Sequence, residues 1–99
     1  MSDAKASILI PFKNTAAYLP ACLDSIINQS YKNWEVLIVD DSSTDQSHEI
    51  VKAYSQQDDR IRLLKNKGVG IIEALQTAYA QSTGTFITRM DSDDIMATN

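Results

Sequence analysis

The chain has 99 residues, 43% of them hydrophobic, enough for one compact core and too few for two domains of ordinary size, so residues 1–99 are expected to form a single domain. A formal net charge of −4 and an isoelectric point near 4.7 argue against a nucleic-acid partner, whose binding draws on clustered Lys and Arg. The polar start Met1 to Ala6 is no signal peptide, no apolar run nears the roughly 20 residues that cross a bilayer, and the lone Cys22 asks for no oxidising compartment, so cytoplasmic residence is expected.

Ser7-Ile8-Leu9-Ile10 is a short apolar run closed by Pro11, which reads as a buried first strand ending where proline removes a backbone donor. Leu19, Cys22, Leu23, Ile26 and Ile27 then recur at the spacing of one helix face, with Pro20 tolerable in the first turn. Trp34 to Val39 is apolar almost throughout, as a strand covered on both faces must be. Ser43 and Gln46 stand at capping-box spacing before a second helical stripe of Ile50, Val51 and Tyr54.

Ile61 to Leu64 predicts a third strand, and Gly70 to Gln81 a third helix with Ile71, Ile72, Leu75, Ala78 and Tyr79 facing inward and Gly84 ending it. Thr85 to Met90 predicts the fourth strand. Strands alternating with helices at this rhythm imply right-handed crossovers and an α/β fold, a Rossmann-like sheet of four mainly parallel strands with helices on both faces. The Rossmann-type order of third, second, first, fourth puts the last strand at an open edge, where self-association as a homodimer is expected. Trp34 and Tyr79 read as packing, Cys22 as core, and His48 as a surface side chain without a partner.

In such sheets ligands bind beyond the carboxyl ends of the strands. The loops there hold Pro11-Phe12-Lys13-Asn14, Asp40-Asp41-Ser42-Ser43, Lys65-Asn66-Lys67-Gly68 and Asp91-Ser92-Asp93-Asp94, so carboxylates crowd one rim. Like charges held together need cations, ligand donors or water to compensate. In an extended segment Asp91 and Asp93 point to one side and Ser92 to the other, and hard carboxylate oxygens suit Mn2+ or Mg2+, completed by substrate phosphates. Lys65 and Lys67 are candidates to meet those phosphates. An EF-hand is excluded because Ile95 and Met96 stand where it needs an acid and then glycine. A dinucleotide fingerprint is excluded because Gly68-Val69-Gly70 follows the third strand and has Glu73 in place of the third glycine.

Ser7 to Asn14, Leu23 to Tyr31, Val39 to Asp45 and Arg89 to Asp94 together resemble the N-terminal signature of family 2 glycosyltransferases. The resemblance implies a truncated GT-A fold, a nucleotide-sugar donor, commonly a UDP-sugar, and inverting transfer to an acceptor hydroxyl. By that resemblance Pro11 flanks the base, with Phe12 and Asn14 beside it. Asp41 accepts from the uracil ring nitrogen with Asp40 next to it, Asp91 stands near the ribose, and Asp93, with Asp91, holds the metal. It also implies that the general base and the acceptor glycan's site lie beyond Asn99. No catalytic residue is therefore assigned, and the chain alone is expected to be inactive. The alternative is a non-catalytic nucleotide-binding or interaction module on the same fold.

Overall fold

The structure is a computed structural model and describes residues 4–94. Alternation within the apolar runs decides how the layers assemble. In the first strand, Ala6–Phe12 (β1), and the second, Trp34–Asp40 (β2), successive side chains point to opposite faces. Ile8, Ile10, Phe12, Val36 and Ile38 pack against Leu19, Leu23, Ile26 and Val51 from helices Leu19–Ile27 (α1) and Ser47–Gln57 (α2). Leu9, Leu37 and Val39 pack on the other face against Ala74 and Ala78 of helix Ile71–Gln81 (α3). Each wholly buried Leu or Ile contributes about 1.5–3 kcal/mol, so these two layers dominate the stability.

Ile61–Lys65 (β3) and Phe86–Arg89 (β4) complete a four-stranded sheet of order β3-β2-β1-β4, with every pairing parallel. This is the expected order, with β4 at one edge. All four β4 residues are exposed. Among the described residues no helix is long and apolar enough to cross a membrane.

Several expectations need correction. Pro11 does not end β1, which continues through Phe12. Leu9 accepts the Met90 N–H on the β4 side, and Pro11 faces that same side two residues on, past the end of β4, so its missing donor has no partner to lose. The capping box at Ser43 and Gln46 does not form. Gln46 is the N-cap residue of α2 without a side-chain cap bond, and Ser43 Oγ instead accepts the Asn14 N–H at 3.0 Å.

The inward face of α3 is Ala74, Thr77 and Ala78, while Ile71, Ile72 and Tyr79 are exposed. The large side chains of Leu9, Leu37 and Val39 fill the space below this helix, so only small residues let it approach the sheet. Gly84 does not end α3, whose C-cap is Ser82. It is needed because a Cβ there would stand 2.5 Å from Ser7 Oγ and 2.7 Å from the Lys5 carbonyl oxygen. Trp34 is buried under the Arg60 guanidinium, 3.8 Å from the ring centroid.

Candidate functional site

The carboxyl ends of β2, β1 and β4 lie side by side, and the residues that follow them enclose a cleft of about 360 Å³. Pro11, Phe12, Lys13 and Thr15 form its middle, Asp41 and Ile71 line it from the β2 and α3 side, and Arg89, Asp91, Ser92 and Asp93 line it from the β4 side.

The acidic loop after β4 is a turn rather than an extended segment, closed by the Asp94 N–H donating to the Asp91 carbonyl at 3.0 Å. The turn still buries Ser92 and exposes Asp91, Asp93 and Asp94. One carboxylate oxygen from each of the three lies within 4.8 Å of the others. Arg89 reaches Asp91 at 3.2 Å, a solvent-exposed pair of little energetic weight. Beneath the loop, the Cys22 thiol faces the Asp91 carbonyl at 3.8 Å. Burial, with the charges of Asp94 and Asp93 adding to it, pushes this thiol up to about 11, so it is a neutral core group rather than a nucleophile.

On the β2 side, Asp41 is locked from below. Its Oδ1 accepts the Asn66 Nδ2–H at 2.9 Å and the Gly70 N–H at 3.1 Å, while among the described residues its Oδ2 has no partner. Asp40 is turned away. Its Oδ1 accepts the Ser43 N–H at 2.8 Å, and its Oδ2 meets His48 Nδ1 at 2.9 Å. His48 therefore has a partner, contrary to expectation.

Asn14 stands in the left-handed region at φ 54°, which asparagine tolerates, and its Oδ1 accepts from the Thr44 and Asp45 N–H groups at 2.7 and 3.2 Å. It stitches the loop after β1 to the loop after β2. Lys67 is exposed and, like Asn14 and Asp40, does not line the cleft. Phe12 lines it only as floor, being 3% exposed and part of the α1–α2 core.

This geometry coincides with a family-level match, since residues 7–99 fit the sequence model of glycosyl transferase family 2. The chain belongs to this family. It is similar to the glycosyltransferase GlyG of Streptococcus pneumoniae, 43% identical over 95 residues that cover 94% of this chain and 31% of GlyG. Its fold is GT-A-like. It superposes on S. aureus TarS in complex with UDP-GlcNAc with a TM-score of 0.84 at 30% identity, covering 92% of this chain and 27% of TarS. The mannosyltransferase PcManGT of Pyrobaculum calidifontis, in complex with GDP-Man and Mn2+, gives 0.85 at 27% identity, covering 93% and 28%. The chain spans less than a third of each of these proteins.

For this family 2 glycosyltransferase chain, the cleft brings together Pro11, Phe12, Asp41, Asp91 and Asp93 of the residues singled out from sequence, and leaves Asn14, Asp40 and Lys67 outside. Sequence reading missed Arg89, Ile71 and the lock on Asp41. Arg89 was detectable, since residues two apart near a strand end share a side and Asp91 was already singled out. Ile71 was mistaken for core because it is apolar and helical. The Asn66 and Gly70 bonds join residues far apart in sequence and left no local signal.

Proposed function

We propose that this chain, as a single domain over residues 1–99, binds the donor of a glycosyl transfer, a UDP-sugar, together with Mn2+ or Mg2+. The whole protein would then pass the sugar, with inversion, to a hydroxyl of an acceptor glycan. One observation carries this proposal. A single cleft over the end of β1 has the free Oδ2-bearing carboxylate of Asp41 on one side and the exposed Asp91, Asp93 and Asp94 group on the other. An acceptor for a base N–H and a set of hard oxygen donors for a diphosphate-bound cation are the two ends that a nucleoside diphosphate requires. Family membership, and the relatives solved with UDP-GlcNAc and with GDP-Man and Mn2+, support the same reading.

The three carboxylates fit a divalent cation by donor chemistry and by proximity, with Asp93 and Asp91 as the principal ligands and Asp94 in reach. Such a cation, when bound, stabilises the negative charge on the departing nucleoside diphosphate. The chain's own residues do the rest. Asp41 orients the base, the Pro11 segment flanks it, Ile71 offers an apolar wall, and Asp91 stands where the ribose passes toward the metal.

Calorimetric titration of the chain with UDP, in Mn2+ and in excess chelator, tests the proposal. Binding that is markedly tighter with Mn2+ is the expected result. Equal affinity in both conditions, or no UDP binding in either, would overturn it.

A further inference from the structure

We infer that Asn66 and Gly70 are positioning residues that set the base preference of the site by fixing which oxygen of Asp41 faces the ligand. The inference rests on the donor-binding function proposed above. Asn66 is fully engaged. Its Nδ2 donates to Asp41 Oδ1 at 2.9 Å and to the Gly70 carbonyl at 3.1 Å, and its Oδ1 accepts the Gly68 N–H at 3.2 Å. The orientation of its amide follows from that network, since a carboxylate and a carbonyl accept only from the NH2 end.

Gly70 adds the second bond to the same carboxylate oxygen, its N–H reaching Asp41 Oδ1 at 3.1 Å. It does so at φ 97°, a conformation that side-chain-bearing residues rarely adopt. An added Cβ there would meet nothing within 4 Å, so the requirement for glycine is conformational and not a matter of space.

Two donors on Oδ1 leave Oδ2 as the acceptor without a partner among the described residues, on a side chain that lines the cleft. A carboxylate with no donor hydrogen can pair with a ring N–H, as uracil and guanine present. It repels a ring nitrogen lone pair, as cytosine presents at the same position. Selectivity of this kind weakens when the carboxylate can rotate, because a free carboxylate turns its charge to solvent and neither rewards the N–H nor penalises the lone pair.

The test compares UDP with CDP, both titrated in Mn2+, against the wild-type chain and the variants Asn66→Ala, Asn66→Asp and Gly70→Ala. The wild type should prefer UDP. Asn66→Ala should lower the UDP to CDP affinity ratio about tenfold, the scale of one hydrogen bond to a charged group. Asn66→Asp, which sets a second carboxylate against Asp41, should lower it at least as far, and Gly70→Ala should move it in the same direction. Mn2+ affinity measured with the metal alone should stay unchanged in all three, which a merely destabilised fold would not allow. In an Asp41→Ala background, Asn66→Ala should have no further effect on the ratio.

A UDP preference in the wild type that survives Asn66→Ala and Gly70→Ala intact would overturn this inference and leave the donor-binding proposal standing. A wild type that binds neither nucleotide would overturn both. An Asn66→Ala effect that persists undiminished without Asp41 would show that Asn66 acts on the base by another route, and the inference fails.

Discussion

Removing the Glu35 carboxylate is expected to loosen the seam that anchors β4, and through β4 the acidic loop. Glu35 is 5% exposed on β2. Its Oε2 accepts from Ser7 Oγ at 2.7 Å, from the Thr83 N–H at 2.6 Å and from Thr83 Oγ1 at 3.1 Å, and Lys5 Nζ stands 3.3 Å from Oε1. Ser7 Oγ in turn accepts the Gly84 N–H at 2.8 Å, and the Lys5 carbonyl accepts from Thr85 and Phe86 at 2.8 and 3.1 Å. The start of β4 is therefore fastened to one buried charge. Glu35→Gln keeps the shape and loses the charge assistance, about 1 kcal/mol for each of the two shortest bonds and so about 2 kcal/mol together. Glu35→Ala also leaves the buried Ser7 hydroxyl hydrogen without its acceptor, a further cost of about 1–3 kcal/mol.

The pH dependence provides the control. Burial alone would push the Glu35 carboxyl up, but the bonds from Ser7 and Thr83, with Lys5 beside it, outweigh burial and hold it below its ordinary value of 4.5. A carboxyl depressed on folding contributes stability that is present above its unfolded value and is lost as pH falls through its folded value. Urea unfolding followed by circular dichroism should thus show the full gap between wild type and Glu35→Gln at about pH 7. The gap should shrink as the pH drops below about 4.5. No gap at neutral pH, or a gap that stays constant into acid, would refute the reasoning.

Asp93→Asn should weaken Mn2+-dependent UDP binding by at least about 1.4 kcal/mol, a tenfold change, and calorimetry showing unchanged affinity would remove Asp93 as a ligand. Asp41→Ala should weaken UDP by about 1.5–3 kcal/mol through loss of a charge-assisted bond, with Mn2+ affinity unaltered, as paired titrations will show. Gly84→Ala should lower stability by about 1–3 kcal/mol, the range for overpacking, read as a drop in melting temperature. The exposed β4 edge, with Phe86 62% and Ile87 43% exposed, should make the chain self-associate. Light scattering should then give masses above 11.0 kDa that rise with concentration and fall with Ile87→Lys; a concentration-independent monomer would refute the expectation.

The order of elements, the parallel sheet and the strand order were legible in the sequence because they follow from local signals. β-branched runs between helical stripes fix which segments are strands, and the handedness of crossovers restricts how strands so connected can be arranged. The rim of acids was legible for the same reason, since residues after parallel strands must gather at one end of the sheet. Side-chain direction and partnership were not. Asp40 and Asp41 are adjacent in sequence, yet His48 and the Ser43 N–H take the first while Asn66 and Gly70 hold the second toward the cleft.

The face of α3 was misjudged at Ile71, Ile72 and Tyr79 because hydrophobicity marks a stripe but not the room beneath it: the bulky Leu9, Leu37 and Val39 are met by the small Ala74 and Ala78, with Leu75 packed against them partly buried. Glycine carries no such marker at all. Gly84 answers to Ser7 and Lys5 across the whole length of the chain, and Gly70 to a carboxylate on another strand's end. Local backbone preference and period determine which elements form and in what order. Which oxygen faces a ligand depends on packing between residues distant in sequence, and only the tertiary structure decides it.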